Sequence, residues 1–509
     1  MAMRPNRRAF LRNSALLGGI VHWQTPAFGT GQFVAAAEPR GVSSIVALAA
    51  DIEPLVRQIE ETPRSRILET MVARIRSGLP YEQLLAGLLL AGVRNVEPRP
   101  SVGFKFHAVL VAQSVHLATV AAPAADRWLP LLWALDNFKV SQEQDERERG
   151  WTMPAVNEKA VPDSAAARAD WVRGMDRWDE AQVDSATAAL SRHAQPDEIW
   201  ELLFRYGARD FRSIGHKAID VANSHRVLGV IGWRHAEPIL RSLAYALLMH
   251  EDGNPADRDD AADRPWRQNQ LLLAQFPETW QTGPPSPAAT RDLLRSLRTA
   301  SPDEATQQVL AVLNRGTGAC AVWDALFLAS IELLIRQPGI VALHAVTTTN
   351  AIHYAYRAAR EESTRRLLVL QNASFLPLFR EAMRGRGDVG PAVIDELAPL
   401  DAPASAADAL EEIYANVNGE PLSAARQTLA YLDAGQSVEP WRQRALQLII
   451  EKGTDAHDYK FGCAVLEDAR HISHDWHNRY LAGAVFHLQG TSESDNPLIG
   501  RARTALSGA

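Results

Sequence analysis

Apolar positions recur at threes and fours along most of the chain, the spacing that lines one face of an α-helix. Ile45, Leu48, Ile52, Leu55 and Ile59 set the pattern over 45–59. Comparable runs cover 81–93, 126–140, 166–190, 238–248, 324–336, 364–383, 422–432, 441–451 and 479–488. Sustained alternation of the β type is absent, and the one Asn-Gly pair, Asn418-Gly419, falls between two helical runs. Breakers punctuate the chain at 96–101, 253–265, 277–287 and 385–405. The expected fold is all-α, with stacked helical hairpins forming a bundle-like or solenoid-like core. The expected organisation is a leader over 1–37, helical regions over 38–253 and 289–509, and a loop or linker over 254–288.

A degenerate repeat emerges when the histidines are aligned. His107 and His116, His216 and His225, and His344 and His353 are each nine residues apart, in HAVLVAQSVH, HKAIDVANSH and HAVTTTNAIH. An amide (Gln113, Asn223, Asn350) follows each first histidine by six or seven residues. With 15 histidines in 509 positions, chance gives roughly 0.4 pairs at any one spacing, whereas three occur. Nine residues advance a helix by about 900°, so the two members of a pair face opposite sides. Only one of each pair can therefore reach a given site. The first members follow predicted helix starts, at Gly103, Gly215 and Pro338-Gly339. His457 is a fourth candidate, and Lys460 lies one turn on from it, on the same face.

Neutral imidazole is the commonest metal ligand, and bundle interiors are where such sites are built. His107, His216, His344 and His457 are thus candidate ligands of one buried ion, with the three amides as candidate hydrogen-bond partners of the rings. The alternative leaves each ring satisfied locally by backbone carbonyls. Asp220, four residues after His216, shares its face. Glu237 precedes Pro238 and reads as a cap or surface residue. Thr347, Thr348 and Thr349 could line a polar pocket with Asn350, Tyr354 and Tyr356. His471, His474 and His477 read as a solvated face before a surface zinc site, and Asp257–Asp263 as a solvated loop, since it lacks the EF-hand pattern. Di-iron Glu-x-x-His pairs, H-E-x-x-H, the P-loop, G-x-S-x-G and a strand-borne G-x-G-x-x-G are all absent.

Length, at about 150 residues per domain, allows roughly three domains or one large repetitive one. Net charge is -7, which excludes a generally cationic nucleic-acid coat, so no nucleic-acid partner is expected. The two cysteines, Cys320 and Cys463, cannot build a disulfide framework or a cysteine-rich metal site. No segment is apolar for long enough to span a membrane; 319–335 comes nearest but carries Asp324 and Glu332. At the N-terminus, Asn6-Arg-Arg-Ala-Phe-Leu-Arg12 resembles the twin-arginine export motif. A short apolar stretch (ALLGGIVHW) and Ala35-Ala36-Ala37 follow, the latter an A-x-A cleavage signal. That route carries folded proteins, often with a cofactor already inserted, and it implies a periplasmic or secreted protein.

HAVTTTNAIHYAYR from His344 and HDYKFGCAVLED from His457 resemble the H-x-V-T-x-x-x-A and H-x-x-K-x-x-x-A elements of questin oxidase-like proteins, in the same order. The matching positions are His344, Val346, Thr347, Ala351, His457, Lys460 and Ala464. The resemblance implies a helical, oxidative protein acting on aromatic polyketide-type substrates, with His344, His457 and Lys460 as catalytic residues. The export signal departs from that pattern. Together these readings predict an exported, metal-assisted oxidoreductase, with iron or copper as the favoured ion, acting on a small-molecule substrate in an apolar, histidine-lined helical cavity. The competing expectation is a non-catalytic helical-repeat protein that binds a partner.

Overall fold

The computed structural model describes residues 45–98, 103–148, 150–400 and 405–507. The twin-arginine motif and its cleavage signal lie outside the described residues. The described residues form twenty-two α-helices, and their one β-type contact is an isolated bridge between Ile45 and Pro154. The protein is all-α. No described helix is long and apolar enough to cross a membrane.

Local chemistry sets the helix starts. Ser301 and Glu304 form a reciprocal capping box ahead of Pro302–Asn314, and Asp455 and Asp458 do the same for Ala456–Asp468. Ser286, Ser405, Ser437 and Asp179 each accept a hydrogen bond from a backbone N–H of the first turn. The resulting helices bury one contiguous apolar cluster that draws on residues from Val46 to Ala502.

Four helices form its centre: Gly103–Ala121, His216–Ile231, Ile340–Ala358 and Ala456–Asp468. Each packs on the next, and the fourth packs back on the first, closing a ring. Cross-links join residues at comparable distances from the helix starts. Cys463 Sγ reaches Ser114 O, and Arg226 pairs with Glu467 at 2.6 Å. All four helices therefore run in one direction, a bundle rather than an open solenoid. Neighbours cover the ring from outside: Leu129–Glu148 against the first helix, Pro196–Gly207 against the second, and Ala319–Arg336 and Glu362–Arg384 against the third. This outer cover explains why the inner helices are buried nearly all round and show little amphipathic contrast.

Three local expectations need correction. The periodic run 45–59 is helical only over Glu53–Glu61; Val46 N–H instead donates to Met153 O, which ties the incoming chain to a remote loop. The run 166–190 is two helices, Ser164–Arg177 and Glu180–His193, broken where Trp178 turns left-handed (φ 57°) and Asp179 caps the second. Within 254–288 the chain forms the helix Arg264–Leu272, started by Pro265, and the buried Asn269 donates to Gln371 and Ser374 of a neighbouring helix.

Candidate metal centre

His107 sits in the second turn of its helix, His216 at the first residue, His344 in the second turn and His457 at the second residue. Because the four helices are parallel, these starts coincide in space. The four rings meet at one end of the bundle, and one ligand atom from each lies within 4.8 Å of all the others. His216 Nε2 is 2.9 Å from His107 Nε2 and 3.1 Å from His344 Nε2. His457 stands edge-on to His107 and His344, with ring centroids 4.3 and 5.1 Å away. Among the described residues no other group of His, Cys, Asp and Glu side chains comes this close. His471 instead contacts Arg357, and Asp259, Asp260 and Asp263 pair with arginines, so neither stretch forms a candidate metal group.

The second member of each histidine pair packs elsewhere, as helix geometry requires. His116 bonds Tyr81, His225 bonds Tyr354, and His353 lies among Trp323, Phe327 and Tyr356.

The rings are aimed by their other nitrogens. His216 Nδ1 donates to Ser213 O at 2.6 Å, His344 Nδ1 to Ile340 O at 2.7 Å, and His457 Nδ1 faces the Asp455 carboxylate at 2.5 Å. Backbone carbonyls only accept, so His216 and His344 carry their proton on Nδ1 and turn bare Nε2 lone pairs toward each other. Burial, then the nearby Lys460 ammonium and the other rings, hold His107 and His216 well below the ordinary imidazole value; for His344 burial leads, then His216 and Lys460. All three are neutral at pH 7. A proton on His107 Nε2 can satisfy only one of these contacts, and His457 Nε2 is buried without a hydrogen-bond partner. Lone pairs converging in this way suit a cation: tetrahedral ligation at 2.0–2.1 Å places ligand nitrogens about 3.3 Å apart, close to the 2.9 and 3.1 Å of the two Nε2 pairs, whereas the widest pair of the four would draw in from up to 4.8 Å. The donors are all nitrogens of neutral rings, a set that suits zinc, copper, iron or nickel. Asp455 fits the carboxylate–histidine pairing that orients metal-bound imidazoles; burial raises its pKa, and its contact and hydrogen bonds with His457 overcome this to lower it.

His216 is held by a strained turn. Ser213 (φ 60°), Ile214 (φ 48°) and Gly215 (φ 83°) are consecutively left-handed. Salt bridges clamp the segment. Lys217 pairs with Asp210 at 2.9 Å, both fully buried, and Arg212 pairs with Asp260 and Asp263. Arg209 stacks on Trp178 and donates to Met175 O and Leu247 O. Thr348, on the His344 helix, closes against Gly215 so tightly that a Cβ there would fall 2.0 Å from its Oγ1.

Past the histidines a narrow cavity of about 20 Å³, room for roughly one water molecule, lies between the four helices and is lined by residues of all of them. Its walls are polar, in contrast to the apolar cavity expected from the sequence. Gln113, Asn223, Arg226, Thr347, Asn350, Lys460 and Glu467 contribute. The three amides line this cavity instead of bonding the rings: Asn223 donates to Leu110 O, and Asn350 to Glu467 and Asp468. Thr349 bonds Asn372 outside it, and Tyr354 and Tyr356 are not among the lining residues. Lys460 joins cavity and rings. It is 2% exposed, its Nζ has no hydrogen-bond partner, and burial lowers its pKa to about 7 against the opposing pull of Asp455 and Asp220. Burial raises Asp220 to about 7. Glu237 lies at the surface on Arg192.

Comparisons with protein-family models, with curated proteins and with solved structures give no match to this chain.

Proposed function

We propose that the protein is a metal-dependent oxidoreductase in which His107, His216, His344 and His457 hold one iron or copper ion beside a small substrate cavity. The observation that carries this reading is the convergence of one ring nitrogen from each of four histidines, with Nδ1 anchored on oxygen in three of the four rings. When bound, such an ion supplies one-electron chemistry that no side chain here provides. The chain does the rest. Asp455 and the carbonyls of Ser213 and Ile340 fix the rings. Lys460 orients a substrate oxygen and stabilises negative charge developing on it. The Arg226–Glu467 pair, at the more exposed end of the cavity, limits the entry of water. The polar lining beside Lys460 supports a hydroxylated substrate, and the resemblance to questin oxidase-like proteins supports an aromatic one of polyketide type. The resemblance of residues 6–12 to the twin-arginine motif supports work in the periplasm or outside the cell, after folding and metal insertion. The alternative of a partner-binding helical repeat gives no role to an unpartnered buried lysine or to four converging imidazoles.

The test is turnover. Protein reconstituted separately with iron, copper and zinc is assayed for dioxygen uptake with a panel of hydroxylated aromatics. Turnover with iron or copper, none with zinc, and loss in His344→Ala and Lys460→Met are expected. A chain that binds metal yet oxidises none of the panel with either redox ion refutes the assignment.

A further inference from the structure

Three residues that line the polar cavity each bury an atom with no hydrogen-bond partner: Lys460 Nζ, Arg226 Nε and Gln113 Oε1. All three side chains are more than nine-tenths buried. The rest of the Arg226 guanidinium is committed, Nη1 to Asn223 Oδ1 at 3.0 Å and Nη2 to Glu467 Oε2 at 2.6 Å. One water molecule fills the cavity and meets all three demands. It accepts from Lys460 and Arg226, donates to Gln113 and keeps one O–H to give. Along Ala456–Asp468 the wall is formed by Lys460, Cys463, Ala464 and Glu467, at threes and fours. Lys460 and Glu467 are seven residues apart, so they share a face about 10.5 Å apart along the axis. One end of this strip lies a turn from His457. At the other end the Glu467 side chain is 24% exposed and reaches solvent. Two long side chains and one water span the distance between.

We infer that this strip is a proton path, in which a single water held by Lys460, Arg226 and Gln113 passes protons from solvent-facing Glu467 to Lys460 beside the histidine cluster. Its use in turnover rests on the oxidoreductase reading, whereas the path itself is built by the chain alone. In each passage the Lys460 ammonium gives a proton to the substrate oxygen it faces and takes one back from the water. The water is resupplied by the Glu467 carboxyl, and the resulting carboxylate by solvent. One proton moves inward and every group returns to its starting state. Arg226 orients the water and carries no proton, since a guanidinium is not deprotonated in proteins. Around Lys460 stand Asp455 and Asp220, which favour its ammonium, and the rings of His107, His216 and His344, none of which hydrogen-bonds Nζ. Around Glu467 stand Arg226, Asn350 and Asp468. A passage one water wide admits protons while keeping bulk solvent from the centre.

The test is solvent exchange of the Nζ hydrogens, read by NMR on the chelator-treated full chain with isotope-labelled lysine side chains. Lys460→Met identifies the Lys460 signal. Lys217 is the control, since it is equally buried but its Nζ is held by Asp210 and Leu247 O. In the wild type Lys460 should exchange roughly tenfold or more faster than Lys217. Glu467→Gln, which removes the solvent-side relay, and Gln113→Leu, which removes an anchor of the water, should each slow Lys460 roughly tenfold with helical circular dichroism unchanged. Exchange as slow as that of Lys217, or exchange that either folded variant leaves unaltered, overturns the inference; the wild-type comparison decides the matter even where both variants fail to fold. The measurement uses no metal and no substrate. Exchange as expected in a chain that oxidises nothing refutes the oxidoreductase and leaves the path standing, and turnover in a chain without that exchange does the reverse.

Discussion

Replacing Gly215 by alanine tests how the metal centre is positioned. Gly215 has φ 83°, where an L residue costs about 1–2 kcal/mol. Its added Cβ would meet Thr348 Oγ1 at 2.0 Å, Cγ2 at 2.7 Å and Cβ at 2.9 Å. Contacts that close force backbone or side-chain movement, typically about 1–3 kcal/mol for an overpacked core. The two terms together predict a loss of about 2–5 kcal/mol in Gly215→Ala. The movement falls on the residue before His216, whose Nδ1 bond to Ser213 O sets the ring, and on Thr348, one turn from His344. Metal affinity should therefore drop by roughly 10–100-fold, as when an orienting partner is lost. Thr348→Ala in the same chain removes Oγ1 and Cγ2 but leaves the 2.9 Å Cβ contact and the backbone strain. It should recover about half of the packing loss, roughly 1 kcal/mol, and little of the rest. Thermal unfolding and elemental analysis of wild type and the two variants provide the data. A Gly215→Ala protein with wild-type melting and full metal content would show that the close approach to Thr348 has no part in placing His216.

Lys460 sets a pH dependence. Its unfolded form keeps a proton to about 10.5 and its folded form releases it near 7, so the wild-type chain gains stability as pH rises between those values. Lys460→Met should be more stable than wild type by about 4–5 kcal/mol below pH 7, with the advantage fading toward pH 10; denaturant unfolding of chelator-treated protein at pH 6 and pH 10 measures it, and equal stability at pH 6 contradicts the burial argument. Asp455→Asn removes the charge that orients His457 and should lower metal affinity roughly 10–100-fold with helical content unchanged, whereas unaltered uptake would mean that the carboxylate serves only as a helix cap. Changing Arg7 and Arg8 together to lysine should leave full-length precursor in the cytoplasm; normal export of that variant, read by fractionation, removes the twin-arginine proposal.

Much of the centre was legible because its ligands repeat. His107, His216, His344 and His457 follow glycine or aspartate helix starts, and the nine-residue pairs fall on opposite helix faces, so the facing member of each could be picked. What fixes the rings was not legible. Two of the Nδ1 acceptors are backbone carbonyls, which carry no side-chain signature, and the left-handed run Ser213-Ile214 has residues that seldom adopt it. Asp455 was findable: an aspartate two residues before a histidine, with Asp458 completing a capping box, signals both a helix start and a ring partner. The amides were misassigned because spacing gives depth along a helix but not which neighbour fills the gap. The helix break at Trp178 was hidden by alanine and leucine periodicity that continues across it. It is fixed by long-range stacking of Arg209, Arg212 and Lys217 on the indole. Asp263 followed by Pro265 did signal the helix of Arg264–Leu272, but acidic neighbours drew the segment toward a loop.

The central claim is that four imidazoles share one ion. Protein purified after native export, and the same protein loaded with iron, copper or zinc, can be examined by elemental analysis and X-ray absorption. The account predicts one ion per chain in a nitrogen shell at about 2.0–2.1 Å, lost in His216→Ala and retained in His116→Gln, whose ring faces Tyr81. A chain that carries no ion and takes up none at stoichiometric metal, or one whose ion survives in His216→Ala, would contradict it.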